Sequence, residues 1–168
     1  MKSSAPGGNT IDLDAPLGHI PVLIRSGAAL LLHSQPGYTT RASAAAPYAL
    51  LVSLSGDGHA YGTALIDDGE KLEPEADNAL ARASTQSRTL VFNAHDKHLE
   101  IWGEGAFAVP QPLGAITILG VDRAPKHVRL DGVKVPSRKW VYDSPVQRLI
   151  VSGLSVDLNE RSVFTWGQ

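Results

Sequence analysis

The sequence predicts an all-β protein, an antiparallel β-sandwich, and three observations lead there. The apolar segments are four to eight residues long and rich in Val, Ile, Leu and aromatics. Turn signals such as "SGDG", "DDGE", "DG", "DSP" and "LNE" separate them. No window makes an amphipathic helix of ten or more residues; "DNALARAST" (77–85) has helix formers, but it is short and runs into β-branched residues. The 16 Gly and 11 Pro suit a chain that turns often.

The lead-in "MKSSAPGGNT" is polar, has one Lys and no apolar run, and does not read as a signal peptide. Strands are expected over "IPVLIRSG" (20–27), "AALLLHS" (28–34), "YALLVSL" (48–54), "TLVFNA" (89–94) and "LEIWG" (99–103). Further strands follow over "AITILGV" (115–121), "HVRLDG" (127–132), "KWVYD" (139–143), "RLIVSG" (148–153) and "SVFTW" (162–166). Alternation sets their faces: Val128 and Leu130 oppose Arg129, and Trp140 and Tyr142 oppose Val141. Eight or more strands at this spacing are the pattern of a sandwich.

A chain of 168 residues with 43% apolar content is one domain of ordinary size, or one domain plus a fragment, with enough material for a core. Its net charge of −2 favours neither nucleic acid nor an anionic membrane as partner. No stretch of 18 apolar residues is present to span a bilayer. Cysteine is absent, which removes disulfides, thiol catalysis and thiolate metal sites.

Chemistry-bearing residues are present, but in the wrong arrangements. The stretch "ALIDDGEKLEPE" carries Asp67, Asp68, Glu70, Glu73 and Glu75. Adjacent Asp67 and Asp68 point apart on a strand or turn and cannot clamp one glycosidic bond. A calcium loop starting at Asp67 would need acids where Gly69 and Lys71 stand. A solvated turn, with Gly69 taking positive φ, is the expected reading. In "HDKH", His95 and His98 would lie on opposite faces of a strand, and a hairpin loop with no zinc is expected. "GLSVD" lacks the second glycine of a nucleophile elbow around Ser155. "SGDGHAYG" lacks the Lys-Ser/Thr of a phosphate loop. No catalytic residue, cofactor or metal is therefore expected. Trp102, Trp140 and Trp166 remain as candidate sugar or interface contacts, with core packing the favoured reading for each.

Read in order, the segments resemble a known family. "APLGHIPVLIRSGAALLLHSQPGYTT" (15–40) followed by "PYALLVSLSGDGHAYGTALIDDGE" (47–70) is similar to the C-terminal region of family 31 glycoside hydrolases, the α-glucosidases, in a fungal style. "AITILGVDRAPKHVRLDGVKV" (115–135) and the closing "YDSPVQRLIVSGLSVDLNERSVFTW" continue the likeness. The sequence departs from the family pattern at Arg25-Ser26-Gly27, at Leu31–Ser34, at Ile66 and at Ala42–Ala44. The resemblance implies residues 1–27 as lead-in and last strand of a proximal sandwich, and 28–168 as the distal sandwich. It implies a parent enzyme that hydrolyses terminal α-glucosidic bonds with retention, using two aspartates on a (β/α)8 barrel. The family's nucleophile motif, "W-x-D-M-N-E", does not occur here.

The function expected is thus a non-catalytic accessory region supporting that barrel; the alternative is a free-standing binding module. The expected partners are the barrel and the rest of the parent enzyme, or a second copy of the chain. Ile20–Leu32 is the expected contact, because an unpaired strand edge around Val22–Ile24 would be sticky. Met1 beside such a strand fits a cut-down product or a separate gene product. Secretion is implied by the family, although no N-x-Ser/Thr sequon is present.

Overall fold

The structure, a computed structural model, describes residues 12–35, 37–67 and 87–167. Its strands are β1 (Ala28–His33), β2 (Tyr48–Ser53), β3 (Ala60–Asp67), β4 (Ser87–His95), β5 (His98–Glu104) and β6 (Leu113–Leu119), then β7 (His127–Leu130), β8 (Val133–Lys134), β9 (Trp140–Asp143), β10 (Arg148–Val156) and β11 (Ser162–Gly167). One short helix, α1 (Thr40–Ala44), links β1 to β2; the Thr39 hydroxyl caps it by accepting from the Ala42 N–H at 3.1 Å. The strands hydrogen-bond in the order β8-β7-β11-β5-β4-β3-β1-β2-β6-β10-β9. The protein is all-β, a single curled sheet whose two halves face each other as a sandwich.

Two pairings depart from the antiparallel expectation. β2 runs parallel to β6 from Tyr48 to Ser53, and β1 meets β3 in parallel at Ala28 and Tyr61. The reason is connectivity. A parallel pair needs a long crossover, and β3, β4 and β5 in the opposite half supply it between β2 and β6. The β1–β3 junction is where the sheet folds over. A Cβ at Gly62 would stand 1.9 Å from the Ala29 carbonyl oxygen, so only glycine lets the two backbones approach there.

The core fills the space between the halves. Leu50 and Val52 of β2, Ile116 and Ile118 of β6, and Leu149 and Val151 of β10 meet Leu90 and Phe92 of β4, Leu99 and Ile101 of β5, and Phe164 of β11. All are fully buried. Buried residues alternate along each of these strands, as a sheet with one wet face requires.

Turn chemistry closes the hairpins. Asp96 (φ 47°) and Lys97 (φ 65°) make a two-residue turn between β4 and β5, and Asp131 (φ 49°) with Gly132 (φ 78°) does the same between β7 and β8. The Asp131 carboxylate also accepts the Val163 N–H at 2.6 Å, tying that turn to β11.

The strand expected over 20–27 does not form. Residues 19–25 carry no regular structure, and Ile20, Val22 and Leu23 are 82%, 86% and 71% exposed. No strand among the described residues offers them a ladder, and a lone extended segment has no stability of its own. The expected turn from Asp68 to Glu75 and the helix-forming stretch 77–85 lie outside the described residues.

Candidate functional site

The residues singled out by sequence fall in separate places. Asp67 ends β3 on an exposed position. Ser155 lies exposed near the end of β10, and a turn rather than a helix follows it. His95 and His98 flank the β4–β5 turn. The expected hairpin is there: the two histidines pair directly across it, and their rings stack with centroids 6.2 Å apart. The His98 Nδ1 sits 2.9 Å from the Asp96 carbonyl oxygen. Among the described residues no group of three or more His, Asp or Glu side chains is placed to hold a metal ion.

The three tryptophans divide by face. Trp166 is buried against Phe164, their rings 6.1 Å apart. Trp140 is half-buried at the core's margin, opposite Val151 in the β9–β10 ladder. Trp102 stands on the outer face, half-buried beside its ladder partner Val91. The Arg161 guanidinium lies 5.9 Å from the Trp102 ring centroid and is paired with Glu100 at 3.0 Å.

The outer face of the sheet carries more apolar surface than solvation alone explains. Ladder partners share a face, so Leu30 of β1 lies beside Leu51 of β2, and Ile150 of β10 beside Val141 of β9. On β3, Tyr61 and Leu65 point the same way and are 58% and 66% exposed. Leu30 and Leu32 thus lie on the outer face of one half of the sandwich, and Tyr61, Leu65, Val91 and Trp102 on the outer face of the other, so each half exposes apolar side chains of the kind found at contact surfaces. The continuous apolar run over 28–32 already makes both faces of β1 apolar in the sequence.

Charged groups cluster at one end. The β2–β3 turn, the β4–β5 turn and the β6–β7 loop enclose a cleft of about 200 Å³ lined by Leu54, Asp57, Asp96, Lys97, Asp122 and Arg123, together with Val121 and Trp166. Hydrogen bonding from the Ser55 hydroxyl holds the Asp57 carboxyl below its ordinary pKa. At the opposite end, the Asn159 backbone and side-chain N–H groups donate to Asp157 at 2.8 and 2.7 Å and lower its pKa. The same Asn159 side chain pairs with both backbone groups of Val109, at 2.8 and 3.0 Å. Burial raises the Tyr48 phenol. Asp57 and Asp157 stand at opposite ends of the fold and make no acid/base pair. No helix among the described residues is long and apolar enough to cross a membrane.

No family model matches the sequence. Individual relatives do. The chain is 37% identical over 149 residues to an α-glucosidase of Aspergillus niger, covering 89% of this chain and 14% of that protein. It is 38% identical over 128 residues to glucoamylase 1 of Schwanniomyces occidentalis, covering 76% of this chain and 12% of that protein. A Schizosaccharomyces pombe protein described as an uncharacterized family 31 glucosidase matches at 35% over 144 residues. The chain belongs to the family 31 glucosidases. It spans about 12–15% of the length of these family relatives, so it corresponds to a part of a larger enzyme. The fold agrees: the glucosidase II α subunit, solved in a DNJ-bound form, superimposes with a TM-score of 0.67 over 92% of this chain and 18% of that one, at 20% identity.

Proposed function

We propose that this chain is the C-terminal sandwich region of a family 31 α-glucosidase and serves as a non-catalytic support for that enzyme's barrel. In this reading residues 1–27 complete the preceding sandwich and 28–168 form the distal one. Exposed apolar side chains on the outer faces of both halves carry the reading. Leu30, Leu32, Tyr61 and Leu65 are large apolar side chains on the solvent side of paired strands, where a free-standing domain places polar ones. The exposed Leu17, Ile20, Val22 and Leu23 extend the same character along the N-terminal segment. The parent enzyme then hydrolyses terminal α-glucosidic bonds, and the catalytic carboxylates stand outside this chain. A place in the secretory pathway follows from the same kinship, since one matching solved structure is of an ER glucosidase II complex.

The test is complementation. A family 31 α-glucosidase lacking its matching region is mixed with this chain, and heat resistance and turnover of an aryl α-glucoside are followed. Association that protects the enzyme, and that weakens when Leu32 and Leu65 are both changed to Lys, is the expected result. Two folded partners that ignore each other at micromolar concentration would overturn it. The chain alone is expected to show no turnover. Activity that follows it through purification and disappears in Asp67→Asn or Asp68→Asn would place chemistry here after all.

A second reading, a free-standing binding module, draws on the closed core. The hydrophobic cluster between the two halves is continuous and complete among the described residues. In that case Trp102, Trp140 and Trp166 are the residues to examine, and Trp102 is the one on the outer face.

A further inference from the structure

The cleft at the charged end of the sandwich is built from three turns rather than from the outer faces of the strands. Its lining is organised by depth. Val121 and Trp166 are buried and Leu54 is half-buried, so the bottom is apolar. Asp57, Asp96, Lys97, Asp122 and Arg123 are exposed and form the rim.

The walls are held in place from several sides. The Gly120 and Val121 N–H groups both donate to the Gln147 carbonyl, at 2.9 and 3.0 Å. The Tyr142 hydroxyl donates to the Val121 carbonyl at 2.7 Å. Trp166 donates its backbone N–H to the Lys97 carbonyl at 3.2 Å, which joins β11 to the β4–β5 turn. On the third wall the Ser55 hydroxyl bonds to Asp57 and accepts the His59 N–H at 3.1 Å. A site whose walls are fixed before binding loses little entropy when it is filled.

The rim selects against simple ions. A bare anion would face three carboxylates, and a bare cation would face an ammonium and a guanidinium. A neutral molecule with many hydroxyls suits both kinds of group: its hydroxyls donate to Asp57 and Asp96 and accept from Lys97 and Arg123. Its C–H face can rest on Leu54, Val121 and Trp166. A volume of about 200 Å³ lies below the ~300–1,000 Å³ of pockets for drug-sized ligands. One ring fits, and a longer chain would project from the opening.

We propose that this cleft is a binding site for a neutral polyol of one sugar ring, formed by the β2–β3 turn, the β4–β5 turn and the β6–β7 loop. The proposal stands independently of the accessory role.

The experiment is an NMR titration of the isotope-labelled 168-residue chain with glucose, with maltose and with glucose 1-phosphate. Saturating shifts with the neutral sugars are expected, in the range of ~1–50 mM, confined to the amides of Leu54–Gly58, Asp96, Lys97 and Gly120–Arg123 and to the Trp166 indole. Asp57→Asn and Arg123→Ala are each expected to weaken binding by about tenfold, as loss of one charge-assisted hydrogen bond does. Arg123 is exposed, so its variant reads the site without disturbing the fold. The idea is overturned by shifts that never saturate, by shifts centred on Trp102, by binding of glucose 1-phosphate alone, or by variants that bind as the parent does. A chain that docks to its barrel but leaves this cleft empty of sugar loses the cleft and keeps the accessory role; the opposite result does the reverse.

Discussion

Gly62 decides where the sheet folds over. It lies in β3 with ordinary φ, so left-handed freedom is not what it provides; it provides the absence of a side chain against the Ala29 carbonyl. Adding a methyl forces β1 and β3 apart at the point where the two halves join. Gly62→Ala is expected to lower stability by roughly 1–3 kcal/mol, the usual cost of overpacking, read as a lower urea midpoint. An unchanged midpoint would mean that β1 and β3 part without penalty. Asn159 acts at the other end. It holds the Val109 backbone and the Asp157 carboxylate together. Because the folded-state pKa of Asp157 is depressed, its contribution is present above the ordinary carboxylate value of about 4 and fades as pH falls through the lower folded value. Asn159→Ala removes the side-chain donor but keeps the backbone N–H, the larger cause, so the Asp157 pKa should rise only part of the way toward the ordinary value in a carboxyl-detected titration. An unchanged pKa would show that the side-chain bond adds nothing to the backbone one.

At the scale of elements, strands with apolar runs were legible and strands without them were not. β1, β2, β4, β5, β6, β7, β9, β10 and β11 all fall within two or three residues of segments marked by Val, Ile, Leu and aromatics. β3 has alternation but small inward residues, Ala60, Gly62 and Ala64, so nothing in its composition announces a strand. The five-residue α1 is too short for any period to show, and only the Thr39 cap marks it. The stretch 20–27 erred the other way: its apolar residues read as a strand, but pairing is a property of neighbours, and none is there among the described residues. The cleft was invisible because its residues come from three turns that meet only in the fold. Face assignment gives the tryptophans different weights. Trp166 is sealed in the core on β11, and its replacement by Ala should cost about 3–5 kcal/mol. Trp102 on β5 loses mainly a partly exposed stack with Arg161, so Trp102→Ala should cost roughly 1 kcal/mol. Thermal melts of the two variants compare them; equal losses would show that the outer face is packed as tightly as the core.

For the whole molecule, the question is what an apolar outer face and an apolar N-terminal segment do when no other domain covers them. Leu17, Ile20, Val22 and Leu23 lie in a segment with no ladder, and Leu30, Leu32, Tyr61 and Leu65 lie on strands whose inner faces are already satisfied. Covering either set in water is favourable by about 25 cal/mol per Å² of apolar area, and a second copy of the chain offers the same surfaces. An extended segment with free N–H and C=O groups is also a template for pairing with its equivalent. The chain is therefore expected to self-associate at micromolar concentration, measured by sedimentation velocity. Leu23→Lys places a charge in the middle of the segment without touching the buried core, so it should shift the population toward monomer and leave the melting temperature in place. A parent chain that sediments as a clean monomer, with the segment 20–27 still open to protease, would show that these surfaces tolerate water. That result would favour the free-standing module over the accessory region, because a surface evolved to meet a barrel has no reason to stay dry-faced and solitary.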